Sequence, residues 1–161
     1  VADIVTGYQR DYPGQPVHLI GHSAGAGIAL FALERLDSAQ PVTSVILMAA
    51  AVSRSFDVTR LLDRTRRGIW NFYSPLDLAT GGLGTLVFGT MDRRYGVSAG
   101  VLGFHPADVP EPQPVQDGIP APRLHQIRFR MDMLKSWNLG GHFGWTNAVF
   151  VQRYVAPICQ Y

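Results

Sequence analysis

Gly21-His22-Ser23-Ala24-Gly25 sets a serine midway between two glycines, the pattern of a hydroxyl carried on an abrupt strand-to-helix turn. Such a turn strains the backbone at the serine and crowds the positions two residues to either side, so Gly21 and Gly25 suit it by lacking side chains. It also sets Ser23 at a helix N-terminus, where the Ala24 N–H could face a developing oxyanion. Gly27 would let the same helix pack closely on the sheet. The pattern alone is weak, because a chance match in a chain this long has odds of about one in twenty. Gly96-Val97-Ser98-Ala99-Gly100 repeats it, but after Asp92-Arg93-Arg94-Tyr95, which is no buried strand, and without a helical run behind; Ser98 reads as a loop residue. A serine hydroxyl attacks only when a base takes its proton and an acid orients that base. The chain offers His18, His22, His105, His125 and His142 as bases, and Glu34, Asp57, Asp77 and Glu111 as acids to weigh. His18 and His22 stand four apart, but a strand and turn hold them rather than a helix, so they read as no metal site.

The elements that must position these groups follow from periodicity. Val1, Ile4, Val5 and Tyr8 recur at helical spacing, and Tyr12-Pro13-Gly14 closes that helix. Val17–Ile20 is a short apolar run suited to a buried strand, and residues 24–36 favour helix until Asp37-Ser38-Ala39-Gln40-Pro41 breaks it. Val42–Met48 and Ile69–Tyr73 read as further buried strands, with a helix between them capped by Asp57 and running through Leu61, Leu62 and Arg66. Residues 78–124 change character, glycine-rich and then proline-rich, and predict a long excursion with one short helix near Leu83–Phe88. Ile127, Phe129 and Met131 alternate with Gln126, Arg128 and Arg130, which predicts a one-sided strand over 125–132; residues 145–155 suit a closing helix. Strands alternating with helices predict a single α/β domain over 1–161, a mostly parallel sheet of about four strands covered on both faces.

The run from Val17 to Gly25 resembles the central strand and nucleophile turn of the α/β-hydrolase superfamily, and the later elements resemble its C-terminal part in order. The resemblance implies a partial α/β-hydrolase fold and a serine hydrolase, esterase- or lipase-like, with catalytic groups in the order Ser, acid, His. On that order Ser23 is the nucleophile. His142, in the flexible Gly140-Gly141-His142-Phe143-Gly144 loop before the last helix, is the base, and Asp77, just beyond the strand Ile69–Tyr73, is the acid. Asp57 is the rival acid, although helix capping accounts for it. The excursion over 78–124 leaves the sheet right after Asp77 and could roof the site as a lid or be an irregular connection. The expected reaction is cleavage of a carboxylic ester or related acyl substrate through an acyl-enzyme, with no cofactor and no metal. An acyltransferase or amidase would use the same residues, and a non-catalytic interaction module is the alternative from another class.

Composition narrows the partners. A net charge of +2 argues against nucleic acid or an acidic membrane as partner, and Lys135 is the only lysine among the 14 basic residues. Cys159 stands alone, so no internal disulfide and no cysteine zinc site is expected. No apolar run approaches the roughly 20 residues of a transmembrane helix. Gly25-Ala26-Gly27 resembles the start of a dinucleotide turn, but Leu30 stands where the third glycine belongs. Arg60, Arg64, Arg66 and Arg67 read as a solvated helix face. The chain opens at Val1 inside an element, which suggests N-terminal truncation. A bared sheet edge is then expected, inviting the missing half or self-association, and with it the loss of the second oxyanion donor and weak or absent activity of the chain alone. The compartment stays open, with a soluble, cytoplasmic protein as the default.

Overall fold

The computed structural model describes residues 1–78, 89–105 and 123–160. Four strands, β1 (His18–His22), β2 (Ser44–Met48), β3 (Gly68–Tyr73) and β4 (Arg123–Arg128), form one sheet in the order β1-β2-β3-β4, and every pair is parallel. The register runs Ile20–Ile46–Trp70–His125 across the sheet. Helix α1 (Ala2–Asp11) precedes β1, and α2 (Ala24–Leu33) joins β1 to β2. Asp57 accepts hydrogen bonds from the Thr59 and Arg60 backbone at 3.1 and 3.4 Å, but the turn it opens is a 3-10 helix, Thr59–Arg64, shorter than expected.

Alternate side chains of the strands feed two separate cores, as a sheet buried on both faces requires. Leu19, Val45, Leu47, Ile69 and Leu124 pack with Ala26, Leu30 and Leu33 of α2, Val5 of α1, and Leu61 and Leu62. Ile46, Met48 and Phe72 pack with Met133, Trp145, Phe150 and Val155 on the opposite face. The closing helix α4 covers that second face. It begins at Ala148, with the Asn147 side chain accepting from Val149 N at 2.9 Å, widens into a π turn at Val151–Val155, and ends as Ala156–Cys159. The wide turn ends two residues before Pro157, which has no N–H to give the carbonyl of Arg153.

Three elements differ from their sequence reading. β4 starts two residues early and stops at Arg128; residues 131–136 form a 3-10 turn, with Arg130 and Asp132 paired at 3.0 Å beside it. Its partner β3 ends at Tyr73, whose carbonyl takes the Phe129 N–H as the last rung. Arg66 and Arg67 lie beyond the 3-10 helix; Arg60 and Arg66 are exposed, whereas Arg67 donates to Ile158 O at 2.7 Å and Arg64 Nε to Leu36 O at 3.1 Å. The region after Asp77 is described only over residues 89–105, which lie back on the loop following β2; the expected helix near Leu83–Phe88 falls outside the described residues. There Met91 N bonds Ala51 O, Ser53 N bonds Asp92 Oδ1, and a single helical turn, α3 (Ala99–Leu102), follows Ser98. Among the described residues no helix is long and apolar enough to cross a membrane.

Candidate functional site

The site lies beyond the C-terminal ends of the strands, the side on which parallel α/β sheets take ligands. Ser23 follows β1, Asp77 follows β3, and His142 lies in the loop after β4. Ser23 holds φ +55° and ψ −121°, outside the conformations an ordinary side chain favours, and α2 starts at the next residue. Its backbone is held on both sides: Ser23 N donates to Met48 O at 2.9 Å, and Ser23 O accepts from Ala26 N and Ala51 N at 3.1 Å each. The turn is therefore fixed to the end of β2 and the loop behind it. Ala24 is the first residue of α2 and is exposed, so its N–H, with no intrahelical acceptor, stands at the helix end.

The two glycines play different parts. A Cβ on Gly21 would lie 2.5 Å from Gly25 O and 2.6 Å from Ala26 Cα, so the turn closes only without one. Gly25 meets nothing within 4 Å; its expected crowding is not found, because the helix carries it away from β1. Gly27 packs on Met91 and Val52 of the connecting loops rather than on a strand.

The second serine motif has a different structure. Ser98 is buried with φ −76°, an unstrained value, and the missed turn α3 follows it. A Cβ on Gly100 would collide with the Ala49–Ala50 backbone; Gly100 N bonds Ala50 O at 2.9 Å and Asn71 Nδ2 bonds Ala99 O at 3.2 Å. This motif fastens the loop after β2 to β3.

Asp77 and His142, 65 residues apart, meet: His142 Nδ1 lies 2.8 Å from Asp77 Oδ2. Asp77 is 2% exposed and His142 14%, so the pair is sheltered from bulk water at one end of the site. With Nδ1 directed at a carboxylate, the imidazole carries its proton there and offers Nε2 as base. Asp57, the rival acid, is exposed and spent on Thr59, whose hydrogen bond chiefly holds its carboxyl below the usual range. Glu34 pairs with Arg60 at the surface, and Glu111 lies outside the described residues. His105 is exposed, its backbone bonded to Arg54 O at 3.0 Å. His18 sits at the start of β1 against Ser44, and His125 stacks on Trp70 at 4.5 Å; both lie on strands rather than at the strand ends where Ser23 stands. No cluster of three His, Cys, Asp or Glu side chains fit for a metal occurs among the described residues.

Sequence reasoning missed the role of His22. The His22 Nε2–H donates to the His142 carbonyl at 2.8 Å, and its ring lies 4.7 Å from the His142 ring. One residue thus joins the serine turn to the histidine loop across 120 positions. Only its adjacency to Ser23 could have flagged it. Among the described residues no hydrogen bond joins Ser23 Oγ to His142.

No family model, curated protein or solved structure matches this chain.

Proposed function

We propose that this chain is a serine hydrolase of the α/β-hydrolase type, acting on a carboxylic ester or related acyl substrate. The observation that carries the reading is the Asp77–His142 hydrogen bond beyond the same C-terminal ends of the strands as a serine with φ +55°. A buried carboxylate on Nδ1 fixes the tautomer that a general base needs, and a strained turn at a helix N-terminus presents a hydroxyl beside unpaired N–H groups. Either feature alone has ordinary structural explanations; together they make a nucleophile, a base and an orienting acid in the order Ser, Asp, His.

In this reading the Ser23 hydroxyl oxygen bonds to the substrate carbonyl carbon while His142 Nε2 takes its proton. Asp77 steadies the resulting imidazolium, and the Ala24 N–H receives the charge that collects on the carbonyl oxygen. The proton passes to the leaving oxygen as the carbonyl–oxygen bond breaks, leaving an acyl-Ser23. Water, deprotonated in turn by His142, releases the acid. Gly140, at φ +77°, lets the histidine loop pack where a Cβ would meet Leu76 at 2.8 Å and Phe129 at 3.0 Å, which keeps His142 beside the turn that carries Asp77.

The test is pre-steady-state: 4-nitrophenyl acetate should release a burst of nitrophenol matching the protein concentration, and Ser23→Ala should remove it. An equal burst from the variant would refute the assignment.

A further inference from the structure

Large apolar side chains stand exposed around His142. Trp137, Leu139 and Phe143 are each more than 70% exposed and, with His142, line an open cup of about 530 Å³. Soluble proteins scatter such residues singly, and three in one loop beside a titratable group form a patch. The volume falls in the range of small-molecule sites. The loop that displays them is braced from within. Asn138 is fully buried and its Oδ1 accepts from Gly140 N at 2.9 Å, Gly144 N bonds Gly141 O at 3.1 Å, and His22 holds the His142 carbonyl. Trp137 closes the 3-10 turn 131–136 with a left-handed φ of +57°, and its side chain stands exposed.

We propose that this cup receives an apolar group carried on the leaving oxygen of the substrate, so that the alcohol part of the ester, more than the acyl part, sets specificity. The inference rests on the hydrolase reading, and the side of the substrate follows from proton transfer. His142 must hand its proton to the leaving oxygen, so that oxygen comes within hydrogen-bond reach of the ring and its substituent extends over the surface next to it. That surface is the cup, whose wall includes His142 itself. In the step concerned, Ser23 Oγ bonds to the acyl carbon, the acyl–oxygen bond breaks, and the serine proton leaves on the departing alcohol.

Acetate esters of 4-alkylphenols, from methyl to hexyl, test this on the full chain. Their leaving groups differ in apolar length and hardly in acidity. Acetylation of Ser23 is followed by mass spectrometry beside phenol release, with phenyl esters of straight-chain acids from acetate to octanoate as the matched series. A small fluorophosphonate in parallel reports whether Ser23 is activated at all. The expected result is an acylation rate constant (per ester concentration) that climbs up to about fourfold per methylene in the phenol series and stays flatter in the acid series. Trp137→Asn, a residue that tolerates the left-handed backbone, and Leu139→Ser should each flatten the climb. A labelled Ser23 with a flat phenol series, a climb only with acyl length, or no acetylation by any ester overturns the cup's assignment and leaves the nucleophile standing. No fluorophosphonate adduct removes the hydrolase reading and this inference with it.

Discussion

Ser23, Asp77 and His142 have roles that residue type and chain order suggest, whereas His22 acquires its role only through folding. Its ring nitrogen donates to the carbonyl of His142 across 120 positions, a contact between a strand end and a distant loop that no local pattern encodes. In the proposed mechanism it is a positioning residue: it fixes where the histidine loop sits relative to the serine turn. His22→Ala is expected to slow Ser23 acylation by about 10- to 100-fold, the scale on which small misplacements of catalytic groups act. His22→Gln, which keeps an N–H of similar reach, should restore part of that loss. Equal losses in both variants with unchanged thermal stability would argue against the positioning role. The two candidate acids differ in their surroundings: Asp57 caps a turn with its carboxylate exposed, while Asp77 is buried against an imidazole.

β1, β2 and β3 were legible as short apolar runs bounded by turn residues, which a sheet covered on both faces demands, and β4 through its alternation of apolar and polar residues. Less legible were elements set by contacts rather than by pattern. α3 is a single turn held by the Ala49–Ala50 backbone, and β4 ends where its partner ends, not where its own alternation does. The glycines of the serine turn show the same limit, since motif symmetry suggests equal crowding and only Gly21 is crowded. Gly21→Ala is therefore expected to cost about 1–3 kcal/mol in urea unfolding, the usual cost of overpacking a tight site. Gly25→Ala, in open helical surroundings, should be neutral or stabilise by up to about 1 kcal/mol. Equal destabilisation by the two would contradict the geometry of the turn.

Across the whole molecule, the two faces of the sheet close over groups that titrate. His125, half-buried and stacked on Trp70, has its pKa lowered first by burial and then by Arg123 and Arg67. His18 is lowered in the same way, by burial and then by Arg67. A folded pKa below the unfolded value of 6.5 means that the native state binds fewer protons than the unfolded chain. The stability tied to neutral imidazole is thus complete above 6.5 and declines as pH falls through the folded values. The urea midpoint should drop between about pH 7.5 and about pH 5, and His125→Gln should lessen the drop. A midpoint that rises on acidification would reverse the sign and contradict the burial of these rings. The sheet order and the pairing of faces agree with alternating β and α segments. β1 ends the sheet order, and Ile4 of α1 and Ile20 of β1 are exposed, in line with the bared sheet edge that the sequence leads one to expect.

Two serines occupy the same five-residue pattern in this chain, one at φ +55° beside a histidine–carboxylate pair and one at φ −76° in a buried structural clamp. Mapping the adduct of a fluorophosphonate by peptide mass spectrometry separates them directly. The proposed mechanism requires modification at Ser23 alone, lost on heat denaturation before labelling. An adduct on Ser98, or a folded protein that takes up no label, would contradict it.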